Sequence, residues 1–124
     1  MLNHPQKITL ADKLDAFTEH WRPHIVAEMN GQEIKVAKFQ GEFVWHQHDD
    51  TDELFWVISG HMRIEFRTHT VALGPGEIIV VPRGVEHRPV AEEEVQVVLF
   101  EAANVVNTGT AAPSEMTAPM GARL

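Results

Sequence analysis

Gly41-Glu42-Phe43-Val44-Trp45-His46-Gln47-His48, followed by Glu53 and Gly60 and later by Gly76, Pro82, Gly84 and His87, is the part of the chain whose reading decides the fold. Two histidines one residue apart in an extended segment point to the same face, because side chains alternate along a strand. Glu53 opens the next apolar run after the polar turn Asp49-Asp50-Thr51-Asp52, and His87 lies just past the turn Pro82-Arg83-Gly84. Three imidazoles and one carboxylate form a donor set suited to a divalent transition metal such as Zn, Ni, Fe, Mn, Co or Cu, with positions left open for water or substrate. Taken alone, a His-x-His pair is as compatible with ordinary surface or pocket histidines; the surrounding glycines and proline give it weight.

Outward from this stretch the chain reads as short apolar runs separated by Gly and Pro turns. Asn30-Gly31 is a two-residue hairpin signal, since both positions of a type I′ turn need positive φ. It predicts a strand over 24–29 paired with one over 33–40. Further strands are predicted over 43–48, 53–58, 62–67, 70–73, 77–81 and 95–101, with a solvated break at Glu92-Glu93-Glu94. Near the N-terminus Leu10, Leu14, Phe17 and Trp21 recur at helical spacing behind Thr9, with Asp12 where a capping-box acid belongs. Pro23 ends that helix. Many short strands with one minor helix predict an all-β sandwich or small barrel.

The whole chain has 124 residues, 10 Lys plus Arg against 18 Asp plus Glu, a formal net charge of -8, eight His and no Cys. That is one domain's length, able to bury roughly two thirds of its unfolded surface without a staple. Disulfides, thiolate metal sites and cysteine nucleophiles are excluded. An acidic chain with no Lys/Arg cluster is expected to have no nucleic-acid partner. No apolar stretch reaches the ~20 residues of a membrane helix, and Met1-Leu2-Asn3-His4-Pro5 is no signal peptide, so the expected location is cytoplasmic.

The ordered pattern resembles the cupin superfamily, specifically its small single-domain members. Residues Gly41 to Gly60 follow the first cupin motif, G-x5-H-x-H-x3,4-E-x6-G, with one residue fewer between Gly41 and His46. Residues Gly76 to Ala91 follow the second, G-x5-P-x-G-x2-H-x3-N, with Ala91 in place of its Asn. The resemblance implies a cupin-type double-stranded β-helix, a jelly-roll barrel, with a short N-terminal helix. It also implies His46, His48, Glu53 and His87 as ligands of a divalent transition metal inside the barrel. On this basis the chain divides into an N-terminal helical extension (1–23), a barrel (24–107) and a flexible C-terminal tail (108–124).

Strict alternation around inward His46 and His48 sends Phe43, Trp45 and Gln47 outward, along with Leu54, Trp56 and Ile58. Such an outer apolar face calls for cover by the N-terminal helix, by a second copy in a homodimer, or by both. Phe55, Val57, Met62, Ile64 and Phe66 are expected to line an apolar interior for a small ligand. Without Tyr, proton transfer falls to Glu42, Asp52, Glu101 or metal-bound water. His4, His20, His24, His61 and His69 are read as surface residues. Fold does not fix function. The favoured reading is a metal-dependent small-molecule enzyme of isomerase, epimerase, lyase or dioxygenase type; the alternatives are a non-catalytic ligand-binding or sensor module and a metal-free barrel.

Overall fold

A computed structural model describes residues 4–124, so the first three residues of the helical extension lie outside the described residues. Its elements are α1 (Leu10–Asp15), β1 (His24–Met29), β2 (Gln32–Glu42), β3 (Glu53–Ser59), β4 (Met62–Phe66), β5 (Thr70–Leu73), β6 (Ile78–Val81) and β7 (His87–Ala102). All strand pairs are antiparallel, in the order β1-β2-β7-β3-β6, and β4 bridges β5 and β7. This is a jelly-roll barrel. The Asn30-Gly31 turn has φ of 55° and 76°, as a type I′ hairpin requires.

β7 organises the rest. Its first residues pair with β4 (His87 with Phe66, Val90 with Arg63), and its later ones lie between β2 and β3. The expected break at Glu92-Glu93-Glu94 is therefore corrected: these residues lie within one continuous strand with their side chains exposed, a Glu run on the solvent side. β2 is bent by a register shift between Phe39 and Gly41, where Gly41 sits at φ 88°. Such a bulge redirects the side chains that follow it.

Inward residues of β2, β3, β4 and β7, among them Ala37, Phe39, Phe55, Val57, Ile64, Val95, Val97 and Leu99, form the main core. The outer face of β2 and β7 is covered by the N-terminal segment, where Leu14 and Phe17 pack on Val36 and Val98. The helix is shorter than the periodicity predicts, ending at Asp15, and the Thr9 side chain makes no capping bond. Trp21 departs further. At φ 62° the backbone turns the indole into the barrel, where it stacks on Phe39 and Phe43 at 4.4 and 4.6 Å.

The segment expected to be a flexible tail is docked. Asn107 donates to the carbonyls of Trp21 and Met116 and accepts from the Ala118 amide. Thr108 is 1 % exposed, and the Ala122 carbonyl accepts from the Ile25 amide at 2.7 Å. Gly109 explains how the segment sits so close: a Cβ there would lie 2.2 Å from the Gln47 carbonyl oxygen and 3.1 Å from the His46 ring. Replacing Gly109→Ala is therefore expected to lower the unfolding free energy by about 1–3 kcal/mol. It should also expose 108–124 to limited proteolysis, and a variant as stable and protease-resistant as the parent would contradict this packing.

Candidate metal centre

The residues from 43 to 48 do not form the strand that the sequence predicts. One residue, His46, pairs with His87: its amide donates to the His87 carbonyl at 3.1 Å, and the His87 amide donates back at 2.8 Å. Because the segment is irregular, simple alternation fails. Phe43, expected outside, is buried in the core with its ring edge 5.3 Å from His46. Trp45 is half-buried under the guanidinium groups of Arg67 and Arg88. On β3 alternation holds: Glu53, Phe55 and Val57 point inward, while Trp56 is 42 % exposed.

His46, His48, Glu53 and His87 meet inside the barrel, each buried, with one donor atom of each within 4.8 Å of the others. His48 Nε2 lies 3.3 Å and His87 Nε2 3.6 Å from Glu53 Oε1. Two donors held about 2.1 Å from one ion at roughly tetrahedral angles stand about 3.4 Å apart. The tautomers are fixed from behind. His46 Nδ1 is 2.9 Å from the Val44 carbonyl and His87 Nδ1 2.9 Å from the Val85 carbonyl, so each Nδ1 donates outward and each Nε2 is turned toward the cluster.

The fit to a cation rests on what these atoms lack. His48 Nε2, His87 Nε2 and Glu53 Oε1 are buried without a hydrogen-bond partner. An orphaned buried polar atom costs free energy, and three facing one another is an arrangement that a positive ion relieves. The electrostatics agree. Burial, with the neighbouring His87 ring, lowers His46 to about 4, so its imidazole is neutral at pH 7. Burial alone would raise the Glu53 carboxyl, but the His48 and His87 rings override it and hold the group well below the usual carboxylate range. These four residues could hold a metal.

The three proton-transfer candidates separate clearly. Glu42 is exposed and paired with Arg88, and Asp52 is exposed and bonded to the Arg83 amide and guanidinium. Glu101 is the interior one, opposite Glu53 on the adjacent strand. Its Oε1 accepts from Lys35 Nζ at 3.0 Å, and Lys35 in turn lies 3.6 Å from Glu33. Burial, then the Glu53 charge, raise Glu101 to about 8 against the pull of Lys35. His24, read as a surface residue, is half-buried against Phe17 with neither ring nitrogen bonded, and burial lowers its pKa.

His46, Glu53 and Glu101 open on one cavity, walled by Trp21, Phe39, Phe43, Phe55 and Leu99, with Pro23 and Asn107 also on its lining. The space left in it for water-sized molecules is about 20 Å³, close to a single water. Sequence reasoning missed Trp21, Lys35 and Asn107. Lys35 was within reach, since it shares the face of Ala37 and Phe39 by alternation; nothing in the sequence marks the other two.

Comparison with known proteins places this geometry in context. The family described as Cupin domain matches residues 32–102. A curated relative, the uncharacterized protein YdbB of Bacillus subtilis, is 38% identical over 64 residues, which cover 51% of this chain and 57% of the relative's length. The crystal structure of a cupin-2 domain containing protein from Shewanella frigidimarina is similar at 46% identity and TM-score 0.76, covering 77% of this chain and 93% of that one. Protein NMB1881 from Neisseria meningitidis is similar at 31% identity and TM-score 0.73, covering 79% and 100%.

A raised carboxyl pKa favours the folded state at low pH: its contribution is fully present below the unfolded value near 4.5 and is lost as pH rises through about 8. The metal-free protein should therefore lose stability as pH rises from about 4.5 to about 8, by at most about 1.4 kcal/mol per pH unit, and level off above that. Glu101→Gln should flatten that limb in denaturant titrations. An unchanged slope in the variant would contradict the assignment.

Proposed function

This chain belongs to the cupin family, and from that premise we propose that it is a metal-dependent enzyme acting on a small molecule, with His46, His48, Glu53 and His87 holding one divalent transition ion. The observation that carries this reading is the set of buried, partnerless donor atoms on His48, Glu53 and His87, aimed at one point. All-nitrogen and oxygen donors suit Zn, Ni, Fe, Mn, Co or Cu. When bound, such an ion supplies Lewis acidity toward a bidentate oxygen ligand such as an enediol, diketone or hydroxy acid, or a binding position for O2 if it is iron, manganese or copper.

The chain's own residues supply the remainder. Trp21, Phe39, Phe43, Phe55 and Leu99 make apolar walls that exclude water and favour a ligand with an apolar body. Glu101 is placed to hold or accept a proton beside the ligand, and Lys35 fixes its orientation. Isomerase, epimerase, lyase and dioxygenase chemistry all fit these parts. The small space left in the cavity favours a second reading, a non-catalytic binding or sensor module.

The reading includes a homodimer. Trp56, Ile78 and Val80 are 42 %, 58 % and 51 % exposed and form an uncharged patch where β3 meets β6, the end strand of its sheet. In a chain of net charge -8 an uncharged face with a free strand edge is where two copies meet with least repulsion. Sedimentation at micromolar concentration should give a dimer, and Ile78→Glu a monomer. A wild-type monomer would remove the dimer from the account.

Metal analysis by mass spectrometry after expression in rich medium should find close to one transition-metal ion per chain, and His87→Ala should lose it. A wild type with substoichiometric metal, or a His87→Ala variant with full content, would overturn the ligand assignment.

A further inference from the structure

The cavity beside the four donors has a second polar contact point. Among the described residues, most polar side-chain atoms on its wall outside the donor cluster are already committed. The Trp21 indole N–H donates to the Gln40 carbonyl at 3.0 Å. The Asn107 amide is used in full, its nitrogen by the Trp21 and Met116 carbonyls and its oxygen by the Ala118 amide. Glu101 is different. Its Oε1 is held by Lys35, but its Oε2 is buried with no partner, on a side chain only 2 % exposed. Glu101 lines the same cavity as His46 and Glu53.

A buried carboxyl oxygen without a partner costs free energy that a ligand group can recover. The four-residue donor cluster does not include Glu101, whose carboxyl lies beside that of Glu53. The anchor also gives direction. Lys35 can only donate, so it fixes Oε1, and Oε2 is left without a partner on a side chain that lines the cavity.

We propose that Glu101 is a specificity-determining residue: its free Oε2 hydrogen-bonds a hydroxyl group carried by the ligand beyond the two oxygens that meet the metal. The ligand class is thereby a bidentate oxygen chelator that carries a third, hydroxyl oxygen, such as a polyhydroxy carbonyl or polyhydroxy acid, rather than a diketone, dicarboxylate or other ligand with only the two chelating oxygens. A hydroxyl both donates and accepts, so it satisfies Glu101 in either protonation state. The apolar walls set the other half of the specificity, rejecting a ligand whose body carries charge. This inference rests on the metal-binding reading above.

The test uses the zinc-loaded full chain and two hydroxamates of equal bite, acetohydroxamate and glycolohydroxamate, which differ by one hydroxyl. Calorimetry should show glycolohydroxamate binding the wild type about tenfold more tightly, the value of one good hydrogen bond to a charged or buried group. Glu101→Leu should keep its zinc and bring the two affinities together, while Glu101→Gln, which can still hydrogen-bond, should keep a preference. A zinc-loaded wild type that binds both probes equally, or a Glu101→Leu variant that retains the preference, overturns the proposal and leaves the metal site standing. A wild type that takes up no zinc overturns the metal reading and this inference with it. The wild-type comparison needs no variant to fold.

Discussion

Two backbone hydrogen bonds between His46 and His87 hold this structure's purpose together. They continue the contact of β2 with β7 into the loop that carries His46 and His48, beside the bond from the Phe43 amide to the Pro89 carbonyl. Together these contacts bring the two halves of the donor set onto one side of the barrel. β3 adds Glu53 from the opposite side through its register with β7, where Glu53 stands opposite Glu101. A curled sheet brings distant strands close on its inner face, which a flat one cannot do. The barrel is therefore the means by which His87 is brought to His46, His48 and Glu53, so that the four could hold one ion.

That convergence has an electrostatic consequence. Glu53, Glu101, Lys35 and Glu33 form a run of buried charge across β3, β7 and β2, with Lys35 as the cation among three acids. Removing charge from water is costly unless it is compensated. The acidic side exceeds what Lys35 can neutralise, and burial answers by raising Glu101 toward neutrality. A divalent cation on the histidines and Glu53 would supply the missing positive charge. The candidate metal site and the second carboxylate thus belong to one electrostatic unit, although only the first carries the sequence motif.

Much of this was legible in the sequence because local chemistry and tertiary structure agree. Asn30-Gly31 forms the hairpin its φ requirements demand, and alternation on β3 correctly turns Glu53 and Phe55 inward and Trp56 outward. The four donor residues are found together where the spacing of histidines, glycines and proline placed them. The failures have physical causes. Alternation mis-assigned Phe43 because the Gly41 bulge and the irregular segment after it break the period of two. Trp21 fits a helical period, yet a single positive-φ residue sends it to the opposite core. The segment after Ala102 has little to bury, but it is held by the Asn107 amide and a close approach at Gly109, long-range contacts that composition does not reveal.

If the buried donors of His46, His48, Glu53 and His87 are a cation site, the metal-stripped chain titrated with cobalt(II) at pH 7 should respond in visible absorption and thermal melting together. Visible bands should saturate at one equivalent, and the melting temperature should rise with them, since a ligand that binds only the folded state stabilises it. Absent bands, or a melting temperature that ignores the metal, would contradict a cation site there.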